Sequence, residues 1–598
     1  MAPCVTSLFV YFHDWLLYLI LLSLRFLLVL RTQPGYVHPD EFFQSVEVAS
    51  GDVYGLDVFR AWEFQRSTTH GPLRSIAGIG PLVHLPMRLY KLLLDGIGNT
   101  TQPDCHIGHS GSILIDRVIF PVRLCTVLSS FAVDVFILQA STYLRSPYTT
   151  DHPWFPHRPP VALLLYASAT FGGLVLSGRT LVNTWEAAAV AVFGLLFMFI
   201  MRRLHLIHSY TAFTRLLPII FAMCAQSVLV SWAIFLRPTY PIFILPMALA
   251  EVVYAAHKLR LLFIYPSSVC VLLASWTVYL CLLLDTAYFS YSSLTTQLTL
   301  TDFICVPCRF LTYNSATDHL AAHGLHPRYL HVLVNLPLIL TPIVTLLALR
   351  KPRTFCFPVV LCWLCVIVPL TFLSLIPHQE PRFLIPLLPF ACCIAGLDLE
   401  RRNCETATMN GCPKFSFTGK WSVFFACTWV LQQLILLLFY GSLHQGGLLP
   451  MLRTVVPWSP TSSSICPVYV FYHTYMPPRF PLGRLADNCT KPNFSQCNVL
   501  VDLSGATIDT LNETLMHLRD MHPLPGQRRI VHVVYPGSQA PLGLNFSQYG
   551  PLNSTQSFFG HLSFDDFPLW RRDYTGITNA PVSWRSLLSL QSVSISIV

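Results

Sequence analysis

Long apolar runs recur along nearly three quarters of this chain, and they constrain its fold more than any other feature. Runs suited to membrane helices lie at roughly 8–30, 117–139, 161–177, 182–201, 216–236, 241–256, 261–284, 330–349, 357–376, 383–398 and 421–441, about eleven in all. The 598 residues are 53% hydrophobic and only 11% charged, where a soluble protein carries about a quarter charged. That much apolar surface cannot be hidden in one soluble core, so lipid must be part of the solvent. The formal net charge of +9 does not imply nucleic acid, because the basic residues form short clusters between apolar runs. Such clusters set membrane orientation. The first run is read as a retained span: no Lys or Arg precedes it and no small-residue cleavage site follows. The stretch 72–94 is interrupted by arginines, His84 and prolines, which favours a helix lying at the interface.

Orientation can be tested by counting spans from a cytosolic N-terminus. The cytosolic loops then hold Arg145, Arg158, Arg202, Arg203, Arg215, Lys258, Arg260, Arg350, Lys351, Arg353, Arg401 and Arg402, the expected positive-inside bias. The opposite loops hold all six Asn-x-Ser/Thr sequons, at Asn99, Asn488, Asn493, Asn512, Asn545 and Asn553, acceptors only on the lumenal side. The same count puts residues 442–598 in the lumen. Short β-like runs at 468–475, 499–503 and 530–535, with a helical stretch at 508–521, predict a small α/β domain there. The chain divides into a membrane module, 1–441, with a first lumenal loop at about 31–116, and that tail. Most of the 19 cysteines lie in apolar segments, as small hydrophobes. Cys305 and Cys308 lie outside the spans and lack the second pair a zinc site needs; a disulfide or two free thiols fits them better.

In this topology the unusual polar motifs converge on the lumenal side. They are His38-Pro-Asp-Glu41, Ser177-Gly-Arg-Thr180, Arg237-Pro-Thr-Tyr240, Asp285–Phe289, His378-Gln-Glu-Pro-Arg-Phe383 and His444-Gln-Gly446. Short connectors need few charges, so one polar site at that surface is implied. A lipid-linked sugar donor explains the pattern. Its tail needs the bilayer, its phosphate needs cations, and the attacking hydroxyl needs a carboxylate to take its proton. Asp40 or Glu41 can be that base. Arg179, Arg237 and Arg382 are candidate phosphate holders, since arginine grips phosphate oxygens bidentately. Each residue also has a plainer reading. The acids can be solvated loop residues, and Arg237 and Arg382 interface anchors. His38 can bond to backbone, His378 and Glu380 can form a pair that positions Arg382, and His444 can be structural. Asp134, Glu186 and Glu251 fall within or near apolar spans, where an ionisable residue is functional by default.

Tyr36-Val-His-Pro-Asp-Glu-Phe-Phe-Gln-Ser45 resembles the first lumenal loop of the dolichyl-phosphate-mannose-dependent mannosyltransferases of glycosyltransferase family 22, and His378–Pro386 resembles that family's His-x-Glu-x-Arg-Phe segment. Asp285–Phe289, Tyr313-Asn314, His323-Gly324, His331-x-x-x-Asn335, Gly441–Gly447 and His473–Arg479 are similar to the branch that adds a fourth, α1,2-linked mannose to the third mannose of a GPI-anchor precursor. The resemblance runs from about 31 to 480. It implies an all-α polytopic GT-C type fold in the endoplasmic reticulum membrane, with a lumenal active site and inversion at the transferred sugar. It places the base on Asp40, with Glu41 as rival, and the donor phosphate on Arg382 and less directly on Arg237. It implies no cofactor and no metal, with dolichyl phosphate mannose, a GPI glycolipid precursor and the bilayer as partners and no nucleic acid. The chain departs from the family's pattern at Leu181-Val182 and at Leu236, which puts an acceptor role for those neighbours in doubt. Rival readings are transfer at another GPI or N-glycan precursor step, a lipid transporter or scramblase, and a catalytically dead scaffold. The first conflicts with the branch stretches and the second with polar motifs gathered at one face. Retention of both acids argues against the third.

Overall fold

A computed structural model describes residues 2–31, 33–65, 71–97, 111–145, 159–206, 213–290, 303–321, 324–351, 356–409, 420–455, 465–483, 499–520, 528–539, 545–562 and 588–597. Every apolar run of the sequence falls on helix. Among the described residues eight helical segments are long and apolar enough to cross a membrane: Leu114–Arg145, Val182–His205, Leu216–Leu236, Tyr240–Phe289, His331–Leu349, Phe357–Leu375, Pro381–Arg401 and Phe424–Leu443. The count is nine if Val161–Ser168 and Thr170–Gly178, bent by 67°, form one broken span. The difference from about eleven has two further sources. Tyr240–Phe289 joins two runs, as helices Tyr240–Leu259 and Ile264–Phe289 linked by the turn Arg260–Phe263. At 1.5 Å per residue each is about 30 Å or longer, enough to cross the hydrocarbon core. Trp15–Leu30 is apolar but shorter.

The chain divides into two compact units. One comprises Met1–Val29, Ala61–Leu82 and Arg123–Leu434. Helix Phe213–Leu236 packs against both Val182–His205 and Ile264–Phe289, and Ile200, Ile219 and Ala222 form a core cluster with Ala255 of helix Tyr240–Leu259. The opposite faces carry exposed Leu261, Tyr265 and Leu272, at 81%, 71% and 70%, exposure that only lipid makes favourable. Two acids inside the unit have buried polar partners, an arginine for Asp134 and an amide for Glu251. Arg25 and Asp134 are enclosed and joined at 2.8 and 3.2 Å, and Tyr18 donates to the same carboxylate at 2.9 Å. Gln226 donates to Glu251 at 2.9 Å. Both acids therefore serve helix packing, since an unpaired charge at this depth would be costly. Loop ends expected on one side also meet: Arg145 pairs with Glu400 at 2.6 Å.

The other unit comprises Leu30–Arg60, Val83–Val122 and Ile435–Val598. It holds a five-stranded sheet of β1 Ile465–Phe471, β2 Val499–Asp502, β3 Arg528–Pro536, β4 Leu552–Phe559 and β5 Ser589–Ile597, ordered β2-β1-β3-β5-β4. The first three strands pair in parallel; β5 is antiparallel to both β3 and β4. Helix Ile508–Asp520 covers one face through Leu511 and Leu515, against Val468, Val470, Val531, Val533 and Ile595. Helix His84–Ile97 exposes Leu85, Leu89, Leu92 and Leu93 along one side, the pattern of an interfacial helix. Of the six sequons, Asn512, Asn545 and Asn553 are described and exposed; Asn99, Asn488 and Asn493 lie outside the described residues.

Candidate active site

In the second unit the chain leaves the first apolar helix and runs extended through Gly35 and Tyr36. Gly35 donates to the Gly441 carbonyl at 3.3 Å, and Tyr36 and His444 bond mutually: Tyr36 N to His444 O at 2.7 Å, His444 Nδ1 to Tyr36 O at 2.6 Å. A Cβ on Gly35 would lie 2.5 Å from the Tyr440 carbonyl, so only glycine permits this approach. His444 is thus structural. Gly446 is confined in the same way, its missing Cβ 1.9 Å from the Ser442 carbonyl and 2.3 Å from that of Gly560. The Tyr36 hydroxyl reaches the Met476 carbonyl at 3.1 Å. Three motifs far apart in sequence, 36–45, 441–447 and 473–479, therefore form one packed assembly.

That assembly presents the two acids differently. A helix begins at Asp40, continues as the π-helical turn Phe42–Val46 and then as Glu47–Tyr54; such bulges are frequent at functional sites. The Asp40 side chain is 21% exposed, and His38 sits beside it, with Nδ1 accepting from the Asp40 amide at 3.1 Å and lying 3.5 Å from Oδ1. Glu41, one residue on, is wholly buried. The sequence did not single out Glu47. It is also buried, and its carboxylate accepts from the amides of Phe59 (3.1 Å), Arg479 (2.9 Å) and Phe480 (3.4 Å). Burial pushes its pKa up to about 7, partly offset by those three amides. Its work is to join the acid-bearing helix to the 479–480 turn.

In the first unit the polar motifs present cations. Arg237 follows helix Phe213–Leu236 and is nearly buried. Its Nε lies 3.1 Å from Glu186 Oε2 and donates to Thr239 Oγ1 at 3.0 Å, while Thr239 donates to Glu186 Oε1 at 2.8 Å. Burial lowers the Arg237 pKa to about 10, with Glu186 opposing that and Arg74 and Arg382 adding to it. Arg382 is fixed by Glu380, at 2.5 and 3.0 Å, and Glu380 also meets His378 Nε2 at 2.8 Å. The hydrogen bond to Glu380 raises the His378 pKa against the effect of burial. His378 and Glu380 therefore do position Arg382. The guanidinium groups of Arg237 and Arg382 lie 5.1 and 5.6 Å from the Phe383 ring centre, a cation–π arrangement that brings two positive charges to one ring. Arg74, paired with Glu63 at 3.0 Å, adds a third cation to this field. Arg179 is fully buried at the turn after Leu176–Gly178.

Gln379, between the pair, is a clamp. It accepts from the His331 amide at 2.9 Å and donates to the carbonyls of Ser374 and Ile376, and His378 Nδ1 bonds the Gly324 carbonyl at 3.2 Å. His331 in turn bonds Asn335 at 3.0 Å. The 324–335 stretch thus holds the His-Gln-Glu loop; His323 lies outside the described residues. Asp285 is buried and accepts from the Ala77 amide at 3.0 Å. Cys305 and Cys308 are joined in a disulfide.

Residues 16–479 match the model of the Alg9-like mannosyltransferase family. The chain belongs to that family. This Alg9-like mannosyltransferase is a glycosyltransferase, and the match spans both the acid-bearing loop and the His-Gln-Glu loop. It is similar to GPI mannosyltransferase 4 of Candida albicans, 28% identical over 516 residues, 84% of this chain and 88% of that one. It is also similar to GPI alpha-1,2-mannosyltransferase 4 of Homo sapiens, 28% identical over 622 residues, covering 96% and 92%. Among solved structures, ArnT from Cupriavidus metallidurans bound to undecaprenyl phosphate aligns with 100% of this chain and 98% of its own, at 12% identity and a TM-score of 0.44.

Proposed function

We propose that this Alg9-like mannosyltransferase transfers a fourth, α1,2-linked mannose from dolichyl phosphate mannose to the third mannose of a GPI-anchor precursor, inverting at C1, on the lumenal side of the endoplasmic reticulum membrane. The observation that carries the reading is the pair Arg237 and Arg382, each held by its own glutamate and both turned to Phe383. Preset cations at helix ends suit a membrane-anchored phosphate. The relatives named GPI mannosyltransferase 4 and GPI alpha-1,2-mannosyltransferase 4 support the choice of substrate.

Asp40 takes the proton of the acceptor hydroxyl as its oxygen attacks C1 from the face opposite the phosphate. The C1–phosphate oxygen bond breaks and its electron pair leaves with dolichyl phosphate, which Arg382 and Arg237 stabilise. Asp40 then returns the proton to solvent. Asp40 is favoured over Glu41 because a base must touch substrate, and Glu41 is enclosed. Phosphate is already a good leaving group, so neither a general acid nor a metal is required.

Disulfides persist in oxidising compartments. Cys305, Cys308 and Cys466 are disulfide-bonded and fall in segments assigned to the lumen. Free cysteines such as Cys125, Cys224, Cys362 and Cys392 lie on apolar helices. This supports a cytosolic N-terminus and a lumenal tail. Deleting the gene and profiling lipid intermediates tests the substrate. The expected result is precursors lacking the fourth mannose. A normal GPI profile with truncated N-glycan precursors, or with no change in either, contradicts the proposal.

A further inference from the structure

The segment that carries Arg74 also builds an aromatic surface that the transfer chemistry does not use. Trp62 lies in the short turn Trp62–Phe64. Its ring centre is 5.2 Å from that of Tyr313 on helix Val306–Ser315. Tyr313 stacks in turn on His319, at 4.5 Å and 9° between planes. All three rings are half-buried. Polar groups rim them. Glu63, next to Trp62, holds Arg74 at 3.0 Å, and burial together with the Glu63 charge raises the Tyr313 phenol above its ordinary value.

The platform is held in place from below. Arg309 donates to the Gly71 carbonyl at 2.5 Å, Arg74 lies over the Phe310 ring at 5.6 Å, and the Cys305–Cys308 disulfide closes the start of the helix. Arg74 also adds its charge to the field that acts on Arg237. Flat rings beside a carboxylate and a guanidinium match the chemistry of a pyranose. One sugar face is a patch of C–H bonds that covers an aromatic ring, and the hydroxyls at its edge need charged or amide partners.

We propose that Trp62, Tyr313 and His319, rimmed by Glu63 and Arg74, form the subsite that holds the α-mannosyl chain of the glycolipid acceptor. The proposal rests on the mannosyl-transfer reading for the identity of the sugar. It also gives a role to Tyr313-Asn314, a stretch that set this chain apart within its family and that the donor chemistry leaves unused.

The test uses the full-length protein in membranes, with donor and acceptor varied separately. Trp62→Ala and Tyr313→Ala are expected to raise the acceptor KM at least about tenfold, the scale of losing an aromatic anchor, with the donor KM within about twofold of wild type. Trp62→Phe, which keeps a flat ring, is expected to recover most of the acceptor affinity. If Trp62→Ala does not accumulate, Tyr313→Leu asks the same question, since it keeps apolar bulk against Trp62 but no stacking face. An unchanged acceptor KM in these variants, or equal rises for donor and acceptor, overturns the proposal. A second measurement separates it from the function reading: saturation-transfer NMR of a soluble α-linked mannotriose on purified wild type and Trp62→Ala. Trp62-dependent contact without mannosyl transfer sustains the subsite and removes the reaction. Transfer by wild type with contact insensitive to Trp62 does the reverse.

Discussion

The side chains that fix the loop around Asp40 bond to backbone, whereas the guanidinium groups of Arg382 and Arg237 are themselves fixed by other side chains. Tyr36, His444 and Glu47 reach carbonyls and amides of distant loops. Arg382, Glu380 and His378 form a chain of side chains, as do Arg237, Thr239 and Glu186. The contrast follows from what each region must do. In the proposed mechanism a base must stay reachable and able to bind a proton, which fits surroundings that hold the backbone and leave the Asp40 carboxylate partly exposed. A cation beside a membrane must be kept charged and aimed, which needs a counter-ion at hydrogen-bond distance.

The comparison breaks first at the acids. Asp40→Asn is expected to lower kcat by about 10²–10⁴-fold, the range of general-base catalysis, while Glu41→Gln lowers it less than about tenfold. The reverse order in a transfer assay would move the base to Glu41. Next in size is Arg382→Ala, expected to cost about 10²-fold in kcat/KM for the donor, with Glu380→Gln losing part of that through poorer aim. Equal losses for donor and acceptor would deny Arg382 its phosphate.

Glu47 sharpens the other side. Glu47→Ala leaves three buried amides without their acceptor and is expected to cost about 3 kcal/mol, read as a lower thermal midpoint of the purified protein. The smallest effect is in pH. The folded-state pKa of about 7 lies above the ordinary 4.5, so Glu47's favourable contribution is complete below about 4.5 and is lost as pH rises through 7. Wild type is expected to be a few degrees less heat-stable at pH 8 than at pH 6, with Glu47→Gln flattening the difference. A midpoint that rises with pH in a Glu47-dependent way would contradict the assignment.

The helices were legible because apolar runs of membrane length have few alternatives. β1, β2, β3 and the helix Ile508–Asp520 were legible from alternation and caps. β4 and β5 were not. Leu552–Phe559 is polar and exposed along an edge, and β5 buries Ser592, Ser594 and Ser596 beside Leu590, Val593 and Ile595, so its serines masked a core strand. In the site, the roles of His378, Glu380 and His444 could be foreseen as alternatives, because their spacing permits pairing. Glu47 and Trp62 could not, since their partners, Arg479 and Tyr313, are hundreds of residues away. A buried acid seven residues after Asp40 was the available signal, and burial is invisible in a single sequence.

The product of the reaction tests the account most directly. Full-length protein would be given dolichyl phosphate mannose and a GPI precursor bearing three mannoses, and the product treated with an α1,2-specific exomannosidase. The account predicts a four-mannose glycolipid from which the enzyme releases the new sugar. A product that resists digestion, or hydrolysis of the donor with no transfer, would contradict it.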